Sequence, residues 1–261
     1  MKSFLHLNKG RTPRQAHRDL GDLKDDELGR NAFYGRTAQL YRRHDPTRFE
    51  ARGDYRPREI GIDALAVDDR TDARGFPLPL FENDTCRILL SRRGAAMPYY
   101  FRTVDGDEAF FVHRGSGRFD TEFGPLAYEP GDWIVIPKAV TYRVVPHGDD
   151  NAFLIVESAR ELVVPDYGLL GRHAPFDPTV ITVPEPYAQP DGEGREHEVV
   201  IRHSRTYSSI VYPFDPCDVE GWKGDLFPFK LNIRDWNPIL SDDVHLPPTV
   251  HQFLANDDVM V

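Results

Sequence analysis

Ten histidines, 42 acidic residues and two cysteines bound the chemistry open to this 261-residue sequence. The most suggestive group is HLPPTVH, a compact run with His245 and His251 at its ends. Pro247 and Pro248 fix the backbone between them, which suits a side chain held for chemistry. The plainer alternative is a rigid loop with one satisfied histidine. His197 and His203 flank another run, and their even spacing puts them on one face of an unbroken strand. With His245 and His251 they form a candidate four-imidazole metal set. That set requires three rings within about 5 Å of one point, since ligand distances are near 2 Å. His113 reads as a rim residue, His147 as solvated in a PHGDD turn, and His173 in LLGRHAPFD as a structural hydrogen-bonding residue. Cys86 and Cys217 form no CxxC pair and read as free thiols. Nucleophile elbows, Walker loops and a GxGxxG turn after a strand are absent. HRGSGR lacks the lysine and helix of a phosphate loop, and the carboxylates are too scattered to single out a glycosidase pair.

These side chains need elements to position them. With 22 Pro and 20 Gly, short strands and turns are favoured over long helices. Residues 1–60 are polar and Arg-rich and read as an arm, with a short helix expected over Glu27–Tyr41. From residue 61 to 163, β-rich runs follow one another between turn signals. CRILLS (86–91), Ala109–His113, Arg118–Phe123, WIVIPK (133–138), TYRVVP (141–146) and AFLIVES (152–158) are the expected strands. Asp105-Gly106 and Glu129-Pro130-Gly131-Asp132 are the turns between them. Residues 164–261 read as a loop-rich β extension, with two further strands at 198–204 and 206–213. Its last stretch runs apolar up to Val261, which suits contact with a further, catalytic domain beyond these residues.

The pattern predicts an all-β fold with minor helix, a jelly-roll β-sandwich of the cupin type. Metal-binding cupins place two His and a carboxylate on one hairpin and a third His on a later strand. Here Arg102 and Val104 stand at the first two positions, before Glu108, and Tyr142 stands at the last. None can replace a neutral imidazole, so this jelly roll reads as metal-free and Glu108 as a hydrogen-bonding or ion-pairing residue.

A net charge of -10 argues against a nucleic-acid partner. No run approaches the roughly 18 apolar residues of a membrane span, and the N-terminus lacks a signal-peptide core. A cytoplasmic protein with no membrane partner is the expectation.

The run YYFRTVDGDEAFFVHRGSGRFDTEFGPLAYEPGDWIVIPKAVTYRV resembles the N-terminal jelly roll of homogentisate 1,2-dioxygenases. DYGLLGRHAPFDPTVI, GDLFPFKLNIRDWNPI and VHLPPTVHQF follow in the family's order, so the resemblance covers most of residues 85–254. It implies ring cleavage of homogentisate by dioxygen to maleylacetoacetate, within tyrosine and phenylalanine catabolism, on a mononuclear Fe(II). It also implies a trimer or hexamer. The family's acid/base histidine falls on His245. Its iron ligands, a His, a Glu six residues on and a further His, match no stretch of these residues and are expected in a later segment. No metal ligand and no other cofactor-binding residue is therefore assigned here. The alternative reading is a non-catalytic cupin that acts as a binding or assembly module.

Overall fold

The computed structural model describes residues 7–15, 17–31, 34–54, 56, 59–165, 177–188, 194–237 and 252–261. The chain forms two units, residues 1–64 with 238–252, and residues 65–237 with 253–261.

In the first unit, β1 (Lys24–Asn31) and β2 (Tyr34–Arg42) form an antiparallel hairpin. This corrects the helix expected over Glu27–Tyr41. Gly29 and Gly35 interrupt that window, each costing a helix about 1 kcal/mol relative to alanine. Strand pairing gains instead from cross-strand charge, since Arg42 donates to Asp26 at 2.7 Å.

The second unit is a jelly roll of two six-stranded sheets. Its strands are β3 (Leu78–Glu82), β4 (Cys86–Ser91), β5 (Tyr100–Thr103), β6 (Asp107–Arg114), β7 (Gly117–Thr121) and β8 (Gly124–Tyr128). They continue with β9 (Asp132–Ile136), β10 (Tyr142–Pro146), β11 (Ala152–Ser158), β12 (His197–His203), β13 (Thr206–Tyr212) and β14 (Phe229–Asn232). One sheet runs β13-β12-β5-β10-β7-β8, and the other β14-β9-β6-β11-β4-β3. All named pairings are antiparallel except β12 on β5. Strands β12 to β14, from the segment expected as an extension, thus sit within both sheets. Among the described residues, helix is confined to short 3-10 turns. No helix there is long and apolar enough to cross a membrane.

The six strands expected between residues 86 and 158 are all present, but β5 and β8 are additional to them, and one boundary differs. The return strand expected through Phe123 ends at Thr121, and Gly124 at φ +129° starts β8. A side chain there would be strained, and the added carbon would meet the Glu185 carbonyl. The turn at Gly131 (φ +94°) is tied on both sides. Its N–H donates to the Val112 carbonyl, and its carbonyl accepts from the Ile233 N–H. Gly131→Ala is expected to lower stability by about 1–2 kcal/mol, the cost of a left-handed alanine. Urea unfolding measures it, and an unchanged midpoint would refute the strain.

Alternation explains where the core lies. Phe110 and Val112 of β6, Phe119 of β7, Ile134 and Ile136 of β9, and Phe153 and Ile155 of β11 point between the sheets. Each fully buried side chain of this size contributes about 1.5–3 kcal/mol. The opposite face of β6, β9 and β11 is buried too, under Leu162, Leu231, Phe253 and Leu254. That double burial is why WIVI and FLIV read as continuous apolar runs. The apolar residues near the C-terminus therefore pack on this unit's own sheet, where Ala255 and Val163 exchange backbone hydrogen bonds.

Candidate functional site

The inward faces of the strands are apolar along most of their length and become charged at one end. Register makes this a row. Glu82 of β3 pairs with Arg87 of β4, Arg87 with Glu157 of β11, and Glu157 with Glu108 of β6. Two carboxylates directly opposite one another repel, so Glu108 and Glu157 need compensation. It comes from the facing sheet. Arg202 of β12 donates to Glu157 and, at 2.8 Å, to the Thr103 hydroxyl of β5. The Tyr142 hydroxyl of β10 donates to Glu108 at 2.9 Å. Arg202, Glu157 and Glu108 are only 3%, 4% and 5% exposed.

Burial and the neighbouring Glu157 charge push the Glu108 carboxyl up to about 7, against the pull of Arg202, the Tyr142 hydrogen bond and Arg87. Burial, with the Glu108 charge and hydrogen bond, holds the Tyr142 phenol far above its ordinary value, so it remains a donor. Burial opposes the charge on Arg202, but Glu157 and Glu108 more than offset it.

Between about pH 4.5 and 7, Glu108 is protonated in the folded chain and ionised in the unfolded one. The folded state then holds the extra proton, so its stability falls as pH rises through this window. Glu108→Gln removes that dependence and keeps an acceptor for Tyr142. The variant is expected to gain about 1–3 kcal/mol on the wild type between pH 5 and pH 8. Urea midpoints at the two pH values check this, and an equal difference at both would overturn it.

A cavity of about 40 Å³ lies against this row, with Phe101, Phe110 and Phe153 among its apolar walls. Arg87, Glu157 and Arg202 also line a wider pocket of about 440 Å³.

The positions that stand where a metal-binding jelly roll carries imidazoles are otherwise engaged. Arg102 donates to the Thr141 hydroxyl at 2.9 and 2.5 Å, and Tyr142 serves Glu108. Glu108 is thus the hydrogen-bonding residue that the sequence predicts. Among the described residues no group of three or more His, Cys, Asp or Glu could hold a metal. With the Arg202 guanidinium already on Glu157 and the Tyr142 hydroxyl on Glu108, and no imidazole beside them, this interior does not fit a ferrous ion.

His245, His251 and His173 lie outside the described residues. His197 and His203 occupy opposite ends of β12, about 20 Å apart at 3.3 Å per residue, and cannot share a metal. His197 Nδ1 stands 3.9 Å from Asp215, and His203 is exposed, as are His113 and His147. Both cysteines are free. Burial first, then the Asp215 charge, pushes the Cys217 thiol up to about 12, and burial raises Cys86. Neither is a thiolate nucleophile at neutral pH.

Sequence reasoning missed Arg87, Glu157 and Arg202. The available signal was a lone charge in or at the end of an apolar alternating run, in CRILLS, AFLIVES and EVVIRHS.

A model of the homogentisate 1,2-dioxygenase N-terminal family matches residues 85–233, more than half of the chain. A protein of Saccharolobus solfataricus named as a candidate dioxygenase is 27% identical over 99% of this chain and 71% of its own length. A homogentisate 1,2-dioxygenase of Nitrobacter hamburgensis is 30% identical over 54% of this chain. The match spans only 31% of that enzyme's length. Among solved structures, a protein of Ralstonia eutropha named as a candidate mannose-6-phosphate isomerase overlaps 39% of this chain and 98% of its own. Its identity is 23% and its TM-score 0.32.

Proposed function

Because the chain belongs to the homogentisate 1,2-dioxygenase N-terminal family, we propose that it serves as the jelly-roll portion of a ring-cleaving dioxygenase. The substrates are homogentisate and dioxygen, and the product is maleylacetoacetate, in tyrosine and phenylalanine catabolism. The match over residues 85–233 carries this reading. The named relatives, a candidate dioxygenase and a homogentisate 1,2-dioxygenase, support it. Fe(II) supplies the activation of dioxygen and the binding of the catecholic ring. Its ligands do not come from the jelly-roll interior, where Glu157 is held by Arg202 and Glu108 by the Tyr142 hydroxyl. His245 is the acid/base residue that moves the proton of a substrate hydroxyl. The working form is a cytoplasmic trimer or hexamer. The jelly roll's part is rigidity, with a core buried on both faces of one sheet.

The test uses protein expressed from its complete coding sequence and loaded with Fe(II). Oxygen and homogentisate are expected to disappear in equal amounts as maleylacetoacetate forms. A folded, iron-loaded protein that leaves homogentisate untouched would overturn the substrate assignment.

A second reading is a binding or assembly module without catalysis, since among the described residues no group of three or more His, Cys, Asp or Glu could hold a metal. It predicts that the complete protein binds no iron. Tight stoichiometric iron counts against it.

A further inference from the structure

We propose that the charged end of the jelly-roll interior is a binding site for a small monocarboxylate of two to four carbons, held between Arg87 and Arg202. This goes beyond the proposed ring cleavage and does not depend on it. Three observations carry it.

The first is a set of unspent donors. Arg202 Nη1, on a side chain 4% exposed, has no hydrogen-bond partner, and neither do the buried Nε and Nη1 of Arg87. Their nearest carboxylate oxygens lie 3.5 Å away, on Asp105 and Glu82 respectively. Those carboxylates are engaged elsewhere. Asp105 accepts from the Ser204 N–H through both oxygens at 2.8 Å, and Glu82 accepts from Arg205. Glu157 is taken by Arg202 Nη2. A buried guanidinium N–H without an acceptor costs about 1–3 kcal/mol or more, which a ligand oxygen would recover.

The second is local charge. Of the most buried members of the row, Arg87 and Arg202 are cations and Glu157 an anion. Glu108 sits near the midpoint of its titration at neutral pH. With Glu108 protonated, the two guanidiniums share one fully buried carboxylate, Glu157, and hold Asp105 and Glu82 only at 3.5 Å, longer than a charge-assisted hydrogen bond, which leaves donors for one ligand carboxylate.

The third is shape. Arg87, Glu157 and Arg202 are walls of both the 40 Å³ cavity and the 440 Å³ pocket. Water needs about 10–15 Å³ on this measure, so the inner cavity takes only a few heavy atoms. Its apolar walls, among them Leu89, Phe101, Phe110 and Phe153, suit a short alkyl end, and the wider pocket gives access. A long chain does not fit the inner volume, and a second ligand charge would face Glu157.

Propionate is the probe, with propionamide as its neutral isostere. The wild-type protein is titrated by calorimetry and thermal melting at constant ionic strength. The expected result is saturable propionate binding at one site per chain with a rising melting temperature, and neither effect from propionamide. Arg87→Met is expected to weaken propionate about tenfold or more. Arg234→Gln, an exposed arginine paired with Glu129 away from this pocket, is expected to keep the affinity. Equal responses to acid and amide, or no saturable response to propionate, would overturn the proposal, as would unchanged affinity in folded Arg87→Met. Should Arg87→Met not fold, the acid and amide arms on the wild type decide alone.

Discussion

Arg202→Met lowers the free energy of unfolding by about 3–5 kcal/mol. The expectation follows from what the substitution leaves behind. Glu157 keeps its place on β11, 4% exposed, with Glu108 directly across the ladder and no donor from the facing sheet. Removing one partner of a buried ion pair strands the other's charge, and that is the expensive half of the exchange. The Thr103 hydroxyl also loses one of its two donors, keeping only the Asp105 N–H at 3.2 Å. Glu157→Gln added to Arg202→Met removes the stranded charge and is expected to recover part of the loss. Urea unfolding of the two single variants and the double gives the coupling directly. A loss below about 1 kcal/mol in Arg202→Met, or a double variant no better than it, would show that the pair does not govern this interior.

His245→Ala, in the iron-loaded protein acting on homogentisate, is expected to lower turnover about 10²–10⁴-fold, the usual worth of a positioned acid/base group. The pH profile distinguishes this role from a structural one. Loss of a proton-transferring imidazole flattens the limb of the profile that its titration produces, whereas a packing defect lowers the whole curve. Iron content measured in parallel separates loss of chemistry from loss of metal. Turnover within about twofold of the wild type would refute the assignment. The expectation rests on the position of His245 in HLPPTVH and on the family resemblance.

Much of the jelly roll is legible in the sequence because its strands announce themselves locally. DEAFFVHR and GRFDT alternate about a turn, and EPGD leads into WIVI. The β1–β2 hairpin was not legible, since the weak helical pattern of residues 27–41 hid two glycines and a run of strand-favouring residues. Nor was the place of β12. HEVVIRH reads as a strand, but nothing local says that it lies parallel to β5 or that Arg202 ends opposite Glu157. The site divides the same way. That Arg102, Val104 and Tyr142 are not metal ligands is plain from their side chains. That Glu108, Glu157 and Arg87 share one row depends on register across β4, β6 and β11, which only the folded pairing supplies.

The parallel pairing of β12 with β5 also orders events in time. Thr103 and Arg202 are 99 residues apart, so a ribosome working at roughly 5–20 residues per second finishes Arg202 about 5–20 seconds after Thr103. Until then β5 has one bare edge, and Glu157, made 45 residues earlier than its partner Arg202, lies between Glu108 and Arg87 of its own sheet with no donor from the facing one. Two carboxylates in that position must stay wet or take up a proton, which keeps the growing sandwich open at its charged end. Emergence of β12 covers the edge and neutralises the row in one step. The last charge of this row to be synthesised is the one that lets its end of the interior dry.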